Sequence, residues 1–275
     1  MDITQKHYYN WHFPSDTTLV KLRKRSEQAD GVVFDFDIPI ADLFSGRPAY
    51  DLASSLKLNL VEKNLLLRKY VMENDPHAIF RGYAALSQRL DERGYRWLHN
   101  KIQQIVEAIE PKMSEWECLA AERAFPTALY EVVLAHYHEE GKKLAVATNN
   151  TPRSAEIFLK REGTVDYFEG IFGRTCADPR ELKPNKTIVR RAIKKLNVPP
   201  KRCLMFGDSV TDYLAAKKAG IEFIGITYTF DKAVALYQAG ADLVISGYCW
   251  LLCALEVDYP MYYIDPGTPE IIVRT

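Results

Sequence analysis

The sequence predicts an α/β fold: a doubly wound, Rossmann-like, mainly parallel sheet interrupted by an all-helical insertion. Three observations predict it. A short apolar run, Gly31-Val32-Val33-Phe34, stands alone near the start. Between Ala41 and about Pro126 strand signals vanish and helical periodicity replaces them. From Thr127 onward short apolar runs alternate with helical stretches, which requires crossover connections and hence parallel strands covered on both faces.

The elements follow in order. Residues 1–30 form an extension ahead of the sheet, carrying Tyr8, Tyr9, Trp11 and Phe13, which are expected to pack on the core. The first strand is expected over Val32–Phe36. A helix is expected from Tyr50 to Glu73, with Leu56, Leu60, Leu67 and Val71 among its apolar positions. Asp75-Pro76 reads as a helix start, with proline at the first helical position. Ser114 and Glu117 have capping-box spacing and are expected to open another helix. The domain division expected is therefore a helical insertion over 44–126 within a discontinuous core of 31–43 and 127–275.

The core then continues as a helix from Thr127 to His138, a strand over Leu144–Ala147 and a helix over Pro152–Arg161. A short strand near Ile171-Phe172 and a helix over Asn185–Leu196 come next. Strands over Leu204–Phe206, Phe223–Ile226 and Leu243–Ile245 alternate with helices over Tyr213–Ala219 and Ala233–Ala239. Cys249 and Cys253 lie four apart in an apolar segment and are expected to be packed thiols on a helix. After about Asp258, Pro260, Pro266, Gly267 and Pro269 imply a loop-rich tail.

In open α/β sheets the ligand lies outside the carboxyl ends of the strands. In this chain those ends carry Asp35 and Asp37, then Thr148 and Asn149, then Asp208 with Asp212 four residues on, while Lys183 follows a loop. Asp35 and Asp37, two apart, face one side of an extended chain. Carboxylates gathered at such a mouth call for a cation, and hard oxygen ligands suit Mg²⁺. A carboxylate nucleophile, neutral donors from Thr148 and the following amide, and the charge of Lys183 are the parts that phosphoryl transfer needs. Singly, each has an ordinary explanation: a turn, a helix cap, a helix entry. Their order after successive strands favours the chemical one.

Composition narrows the partners. The 275 residues are 47% apolar, and Lys+Arg and Asp+Glu each number 36, so no overall field favours nucleic acid. Lys21, Arg23, Lys24 and Arg25 are expected to form a solvated helix face. No apolar run approaches the roughly 20 residues of a membrane span. Five cysteines without paired short spacing, and no signal-peptide pattern, imply reduced thiols and a cytoplasmic protein.

On these residues the chain resembles the haloacid dehalogenase superfamily. The matching segments are FDFDIPIADLF, VATNN, ELKPNK and FGDSVTDYLAAKKAG. The helical insertion resembles the cap of its phosphoglycolate phosphatase-like and β-phosphoglucomutase-like branch. The resemblance implies a Mg²⁺-dependent phosphatase working on a small phosphorylated metabolite through an aspartyl-phosphate. It implies Asp35 as nucleophile and metal ligand, and Asp37 as general acid/base that also binds metal through its carbonyl. Thr148, Asn149 and Lys183 would hold phosphate, Asp208 would bind metal, and Asp212 would support it. A phosphomutase shares these motifs. A 2-haloacid dehalogenase would dispense with Asp37 and the metal. A phosphonatase would need a lysine in the insertion, where Lys57, Lys63 and Lys69 occur.

One departure stands out. The family usually has glycine after the second aspartate, whereas this chain has Ile38-Pro39. Proline biases the preceding residue towards extended geometry, so a stiffer or reshaped loop is expected, and with it a catalytically weak binding or regulatory protein as an alternative. Arg47, His77 and Arg81 are the charged candidates for substrate selection from the insertion.

Overall fold

The computed structural model describes residues 11–45, 48–175, 181–259, 261–264 and 271–274. Tyr8, Tyr9 and Arg47 lie outside them, as do Pro260, Pro266, Gly267 and Pro269.

Six strands build one parallel sheet: β1 (Gly31–Phe34), β4 (Lys143–Ala147), β5 (Phe168–Phe172), β6 (Cys203–Gly207), β7 (Glu222–Ile226) and β8 (Val244–Ile245). Their order is β5-β4-β1-β6-β7-β8. The buried runs of Val, Ile, Leu and Phe suit strands covered on both faces. Alternate residues serve the two layers: Val33, Ala145 and Met205 pack with Ile188, Val189 and Ala192 of the helix Thr187–Leu196. Val32, Phe34, Val146 and Phe206 pack on the other face with Leu134, Tyr137, Phe158 and Leu251.

Register positions the site. Phe34 is level with Val146 on one side and Phe206 on the other, so Asp35, Thr148 and Asp208 emerge together from the carboxyl edge. The chain runs outward from β1 in both directions, making this edge the point where strand order reverses.

The expected fold class is thus observed, and several boundaries are corrected. The helix expected over Tyr50–Glu73 is α2, Ala49–Glu62, which stops because Asn64 turns left-handed at φ 53° and Leu65 N–H donates to Leu60 O at 2.8 Å. A short 3₁₀ turn, Arg68–Tyr70, follows. The helix start at Asp75-Pro76 is observed in α3, Pro76–Glu92, where Asp75 accepts from the His77 amide at 2.8 Å. Ser114 opens no helix: α4 runs unbroken from Arg96 to Ala121 through Pro111, and Ser114 Oγ donates to Glu110 at 2.7 Å.

Further along, the helix expected from Thr127 is α5, Tyr130–Glu139. The helix Pro152–Arg161 (α6) has the bounds expected, and Thr187–Leu196 (α7), Val210–Ala219 (α8) and Phe230–Ala239 (α9) fall close to theirs. Two-residue strands β2 (Ala41–Asp42) and β3 (Phe125–Pro126) pair antiparallel where the chain enters and leaves the insertion. The tail is not all loop, since β9 (Met261–Ile264) and β10 (Ile271–Arg274) form an antiparallel ribbon. Cys249 and Cys253 share the helix Tyr248–Ala254 (α10), but Cys249 is half-buried and Cys253 exposed, because the core side of that helix is filled by Tyr248, Leu251 and Leu252. Arg25 is not simply solvated: on α1 (Asp16–Glu27) it holds Asp242 at 3.0 Å and Glu222 at 2.7 Å, docking that helix on the sheet.

Candidate active site

A cavity of about 480 Å³ opens at the carboxyl edge of the sheet, lined from the core by Asp35, Asp37, Thr148, Asn149, Lys183 and Asp208. Every core residue singled out from the sequence is therefore in its wall except Asp212, which is buried just behind. Lys183 joins the carboxylates: its Nζ lies 2.7 Å from Asp35 Oδ1 and 2.5 Å from Asp212 Oδ1, and donates to Ala147 O at 3.0 Å. Asn149 holds that lysine's backbone at both ends, accepting from Lys183 N–H at 2.8 Å and donating to Lys183 O at 3.2 Å. Thr148 is fully buried, and its Oγ1 accepts from the Asn150 amide at 3.1 Å, leaving its hydroxyl hydrogen available.

Asp208 follows β6 at Gly207, where a β-carbon would collide with the Asp212 side chain; only glycine lets the two pack this closely. Asp212 is the third residue of α8 and completes a capping box, accepting from the Ser209 amide at 3.0 Å. Asp212 thus faces the site from the first turn of α8, as its spacing from Asp208 suggests, and caps that helix as well.

The flap after β1 overturns one expectation. Ile38 is not extended but left-handed, at φ 78°, the conformation that a glycine there would take freely. Such a conformation costs a β-branched residue about 1–2 kcal/mol. The surrounding bonds over-determine it and outweigh the bias from Pro39. Ile38 N–H donates to Ala41 O at 2.7 Å, and the Thr127 hydroxyl donates to Ile38 O. Tyr248 hydroxyl donates to Pro39 O at 2.7 Å, and Asp37 accepts from the Leu43 amide at 3.0 Å.

Four carboxylates here face two ammonium groups among the described residues, Lys183 and Lys232, and Lys232 pairs with Asp208. The imbalance shows in their protonation. Burial, then Asp212, push Asp35 up to about 8 against the pull of Lys183. Burial and Asp208 push Asp37 up to about 7. Asp208 is also raised by burial, despite Lys232. Burial would lower Lys183, but Asp212 and Asp35 outweigh it and keep it charged. The donor set fits a divalent cation: Asp35, Asp208 and Asp212 each offer an oxygen within 4.8 Å of the others, and carboxylates outnumber the lysines that face them. Asp37 is not in that triad, its Oδ1 being taken by the Leu43 amide.

The insertion contributes Ala49, Asn74, Asp75, Pro76, His77 and Arg81 to the same wall. Two of the three candidates for selection are thus in place, and Arg47 lies outside the described residues. Lys57, Lys63 and Lys69 do not line it. The sequence reading missed Lys232 and a buried network. Lys232 could have been sought, since it opens the helix after β7, at the same edge. The network could not: Glu117, whose spacing from Ser114 suggests a capping box, is fully buried and pairs with Arg174 at 2.8 and 2.9 Å. Glu117 also accepts from the Thr151 amide at 2.7 Å and lies 3.0 Å from His77 Nε2. Arg174 in turn donates to Asn149 O at 2.8 Å.

An acidic, lysine-braced mouth thus stands at the switch point of a parallel sheet. The family profile for haloacid dehalogenase-like hydrolases matches residues 29–220, more than half of the chain. The chain belongs to that family. It is 31% identical over 128 residues to a phosphoglycolate phosphatase of Vibrio vulnificus (strain CMCP6), covering 46% of this chain and 54% of that protein. Another phosphoglycolate phosphatase, from Colwellia psychrerythraea, is 32% identical over 141 residues, covering 51% of this chain and 61% of that protein. The chain spans little more than half the length of these curated relatives. Among solved structures, a haloacid dehalogenase-like family hydrolase from Streptococcus pneumoniae superposes with a TM-score of 0.54 at 17% identity, covering 82% of this chain and 98% of that one. CbbY from Rhodobacter sphaeroides, solved with phosphate, gives 0.52 at 19% identity, covering 83% and 100%. At such identities these structures speak for the fold alone. Among the described residues no helix is long and apolar enough to cross a membrane.

Proposed function

We propose that the protein is a phosphoric monoester hydrolase that uses Mg²⁺ and acts on a small phosphorylated metabolite. The observation that carries this reading is the crowding of four carboxylates against two lysines at the mouth of the sheet, three of them within reach of one cation. Asp35, Asp208 and Asp212 would hold the cation, which when bound would neutralise charge on the phosphoryl group and the nucleophile.

The chain's own residues supply the steps. Lys183 orients Asp35, whose carboxylate attacks phosphorus as the bond to the leaving oxygen breaks, giving an aspartyl-phosphate. Asp37, whose pKa near 7 lets it hold a proton at neutral pH, delivers that proton to the leaving oxygen. The Asp37 carboxylate then takes a proton from water as the water attacks phosphorus. The phosphorus bond to Asp35 breaks, and inorganic phosphate leaves. The Thr148 hydroxyl and Lys183 ammonium donate to the phosphoryl oxygens, with Asn149 fixing the lysine's backbone.

Residues 44–126 are read as a cap over this site, within a core of 31–43 and 127–275. The test is hydrolysis of p-nitrophenyl phosphate with Mg²⁺, with chelator, and with Asp35→Asn. Turnover that survives both chelator and the substitution would end this reading. The ground for a catalytically weak protein was an extended Ile38, and that residue has the glycine-like conformation instead.

A further inference from the structure

The loop after β4, residues 148–151, is buried throughout, and its polar backbone groups point two ways. Three of its amides are taken: Thr148 N–H donates to Phe172 O at 2.9 Å, Asn150 N–H to Thr148 Oγ1 at 3.1 Å and Thr151 N–H to Glu117 at 2.7 Å. The Asn149 amide has no acceptor among the described residues, and Asn149 lines the cavity. A buried N–H left unpaired is rare in a folded protein. Two carbonyls of the loop are drawn instead into the interior, both by one residue. Arg174 Nη1 donates to Asn149 O at 2.8 Å, and Arg174 N–H donates to Asn150 O at 2.9 Å. Gly173 permits this approach, since a β-carbon there would lie 2.4 Å from Asn150 O. Arg174 is fully buried and does not line the cavity. Its guanidinium has five N–H groups, and each has an acceptor: two on Glu117 and one each on Ser114, Glu110 and Asn149 O. Arg174 therefore has nothing left to offer a ligand and acts only on the loop.

We propose that Arg174, seated on Glu117, is a positioning residue: it holds residues 148–151 so that the Asn149 amide faces the phosphoryl group and the carbonyls of Asn149 and Asn150 do not. This rests on the phosphatase reading, which puts phosphate at this loop. The reason is electrostatic. A peptide unit that turned its oxygen into the cavity would set a partial negative charge against the phosphoryl oxygens, where a donor is needed. The Thr148 amide is fixed on one side of the free N–H and Asn149 O on the other, which closes off that turn. This role is separable from stability. An apolar pair can replace a buried ion pair at little cost to the fold, but it cannot donate to Asn149 O or accept from the Thr151 amide.

The test compares the whole chain with two variants of it. The double variant Glu117→Met, Arg174→Met removes the brace and leaves no charge of the pair buried. Arg174→Lys keeps a charge beside Glu117 but lacks the fork that reaches Glu117 and Asn149 O together. Unfolding midpoints check that each is folded. Two calorimetric titrations follow, Mg²⁺ alone and then inorganic phosphate in saturating Mg²⁺, and neither needs turnover. Phosphate affinity should fall at least about tenfold in the double variant, as the loss of a hydrogen bond to a charged group implies, and should fall in Arg174→Lys as well. Mg²⁺ affinity should stay within about twofold, because Asp35, Asp208 and Asp212 are held by Lys183, Lys232 and Ser209 instead. Unchanged phosphate affinity in both variants overturns the proposal. So does a parallel loss of both affinities, which would mark a general loosening that any structural residue could cause. The two readings fail separately. Turnover of p-nitrophenyl phosphate by wild type, with variants that bind phosphate unchanged, sinks the positioning role alone. The expected split in binding, with no turnover by wild type, sinks the phosphatase reading alone.

Discussion

Replacing Glu117 by glutamine should destabilise the protein by about 3 kcal/mol or more. Glu117 and Arg174 are both fully buried and meet through two hydrogen bonds of 2.8 and 2.9 Å. Removing one partner of a buried pair typically costs about 3–5 kcal/mol, because the other charge is left in a low-dielectric interior. Here Glu110, 3.2 Å from Arg174 Nε, remains as a partial counter-charge, and the new amide still offers one acceptor oxygen. Both put the expectation at the low end of that range. At about 2–4 °C per kcal/mol for a chain of this class, the unfolding midpoint should fall by on the order of 6–12 °C.

The pH dependence carries the same signature. Burial would raise Glu117, but Arg174 and then His77 outweigh it and hold it below the usual carboxylate range. A depressed carboxylate stabilises the fold above its unfolded pKa, which is 4.5 here, and that contribution is lost as pH falls further. Glu117→Gln should therefore flatten the acid limb below about pH 4.5. His77 has the opposite sign: raised by its acidic partners against burial, it stabilises below about 6.5 and loses that contribution as pH rises through its folded value. The assay is urea unfolding from about pH 2.5 to about pH 8, which spans the acid limb. A loss under about 1 kcal/mol at neutral pH, with an unchanged acid limb, would refute the argument that this pair is a desolvated brace. A Glu117→Met, Arg174→Met double variant should recover much of the loss, since an apolar pair leaves no charge buried.

Other substitutions probe the site itself. Asp35→Asn should abolish turnover of p-nitrophenyl phosphate while leaving the circular dichroism spectrum unchanged, because an amide is a poor nucleophile; a tenth of the wild-type rate would remove Asp35 from that role. Chelation should lower the unfolding midpoint, and Mg²⁺ at a hundred times its Kd should restore about 2.7 kcal/mol; a midpoint indifferent to Mg²⁺ would show that the triad holds no cation. Lys232→Met should tighten Mg²⁺ binding by up to about tenfold in calorimetry, since Lys232 now occupies Asp208 and must yield it; weaker binding would make that lysine an aid to the metal site. Ile38→Gly should hold or raise stability by up to about 1 kcal/mol, since glycine meets the left-handed conformation without strain; a large loss would mean that the half-buried Ile38 side chain, not the backbone, secures the flap.

What could be read from the sequence was whatever sits at a strand's end. β1 pairs in level register with both β4 and β6, so residues one step beyond each run must meet, whichever helices join the strands. Asp35, Thr148 and Asp208 needed no knowledge of long-range packing to be placed together, and Lys183 needed little more. Asp212 followed from a helical turn. Ile38 departs from its sequence expectation for a definite reason. The rule for a residue before proline is local, and here four hydrogen bonds, one to Ala41 O and three from Leu43, Thr127 and Tyr248, hold the flap against it. Those donors and acceptors lie as far as 209 residues away along the chain. The insertion's side of the cavity was harder still. His77 becomes meaningful because Glu117, forty residues on, steadies it, and Glu117 is tolerable in the interior because Arg174, a further 57 along, neutralises it. Each link looks like an ordinary surface charge until the insertion is folded onto the core. The same bonds run on to Asn149 O and the Thr151 amide, beside the threonine assigned to the phosphate. Through one carboxylate, then, the wall that would choose the substrate is joined to the loop that would hold its phosphate. A loosened brace should therefore impair binding at both ends of the molecule together.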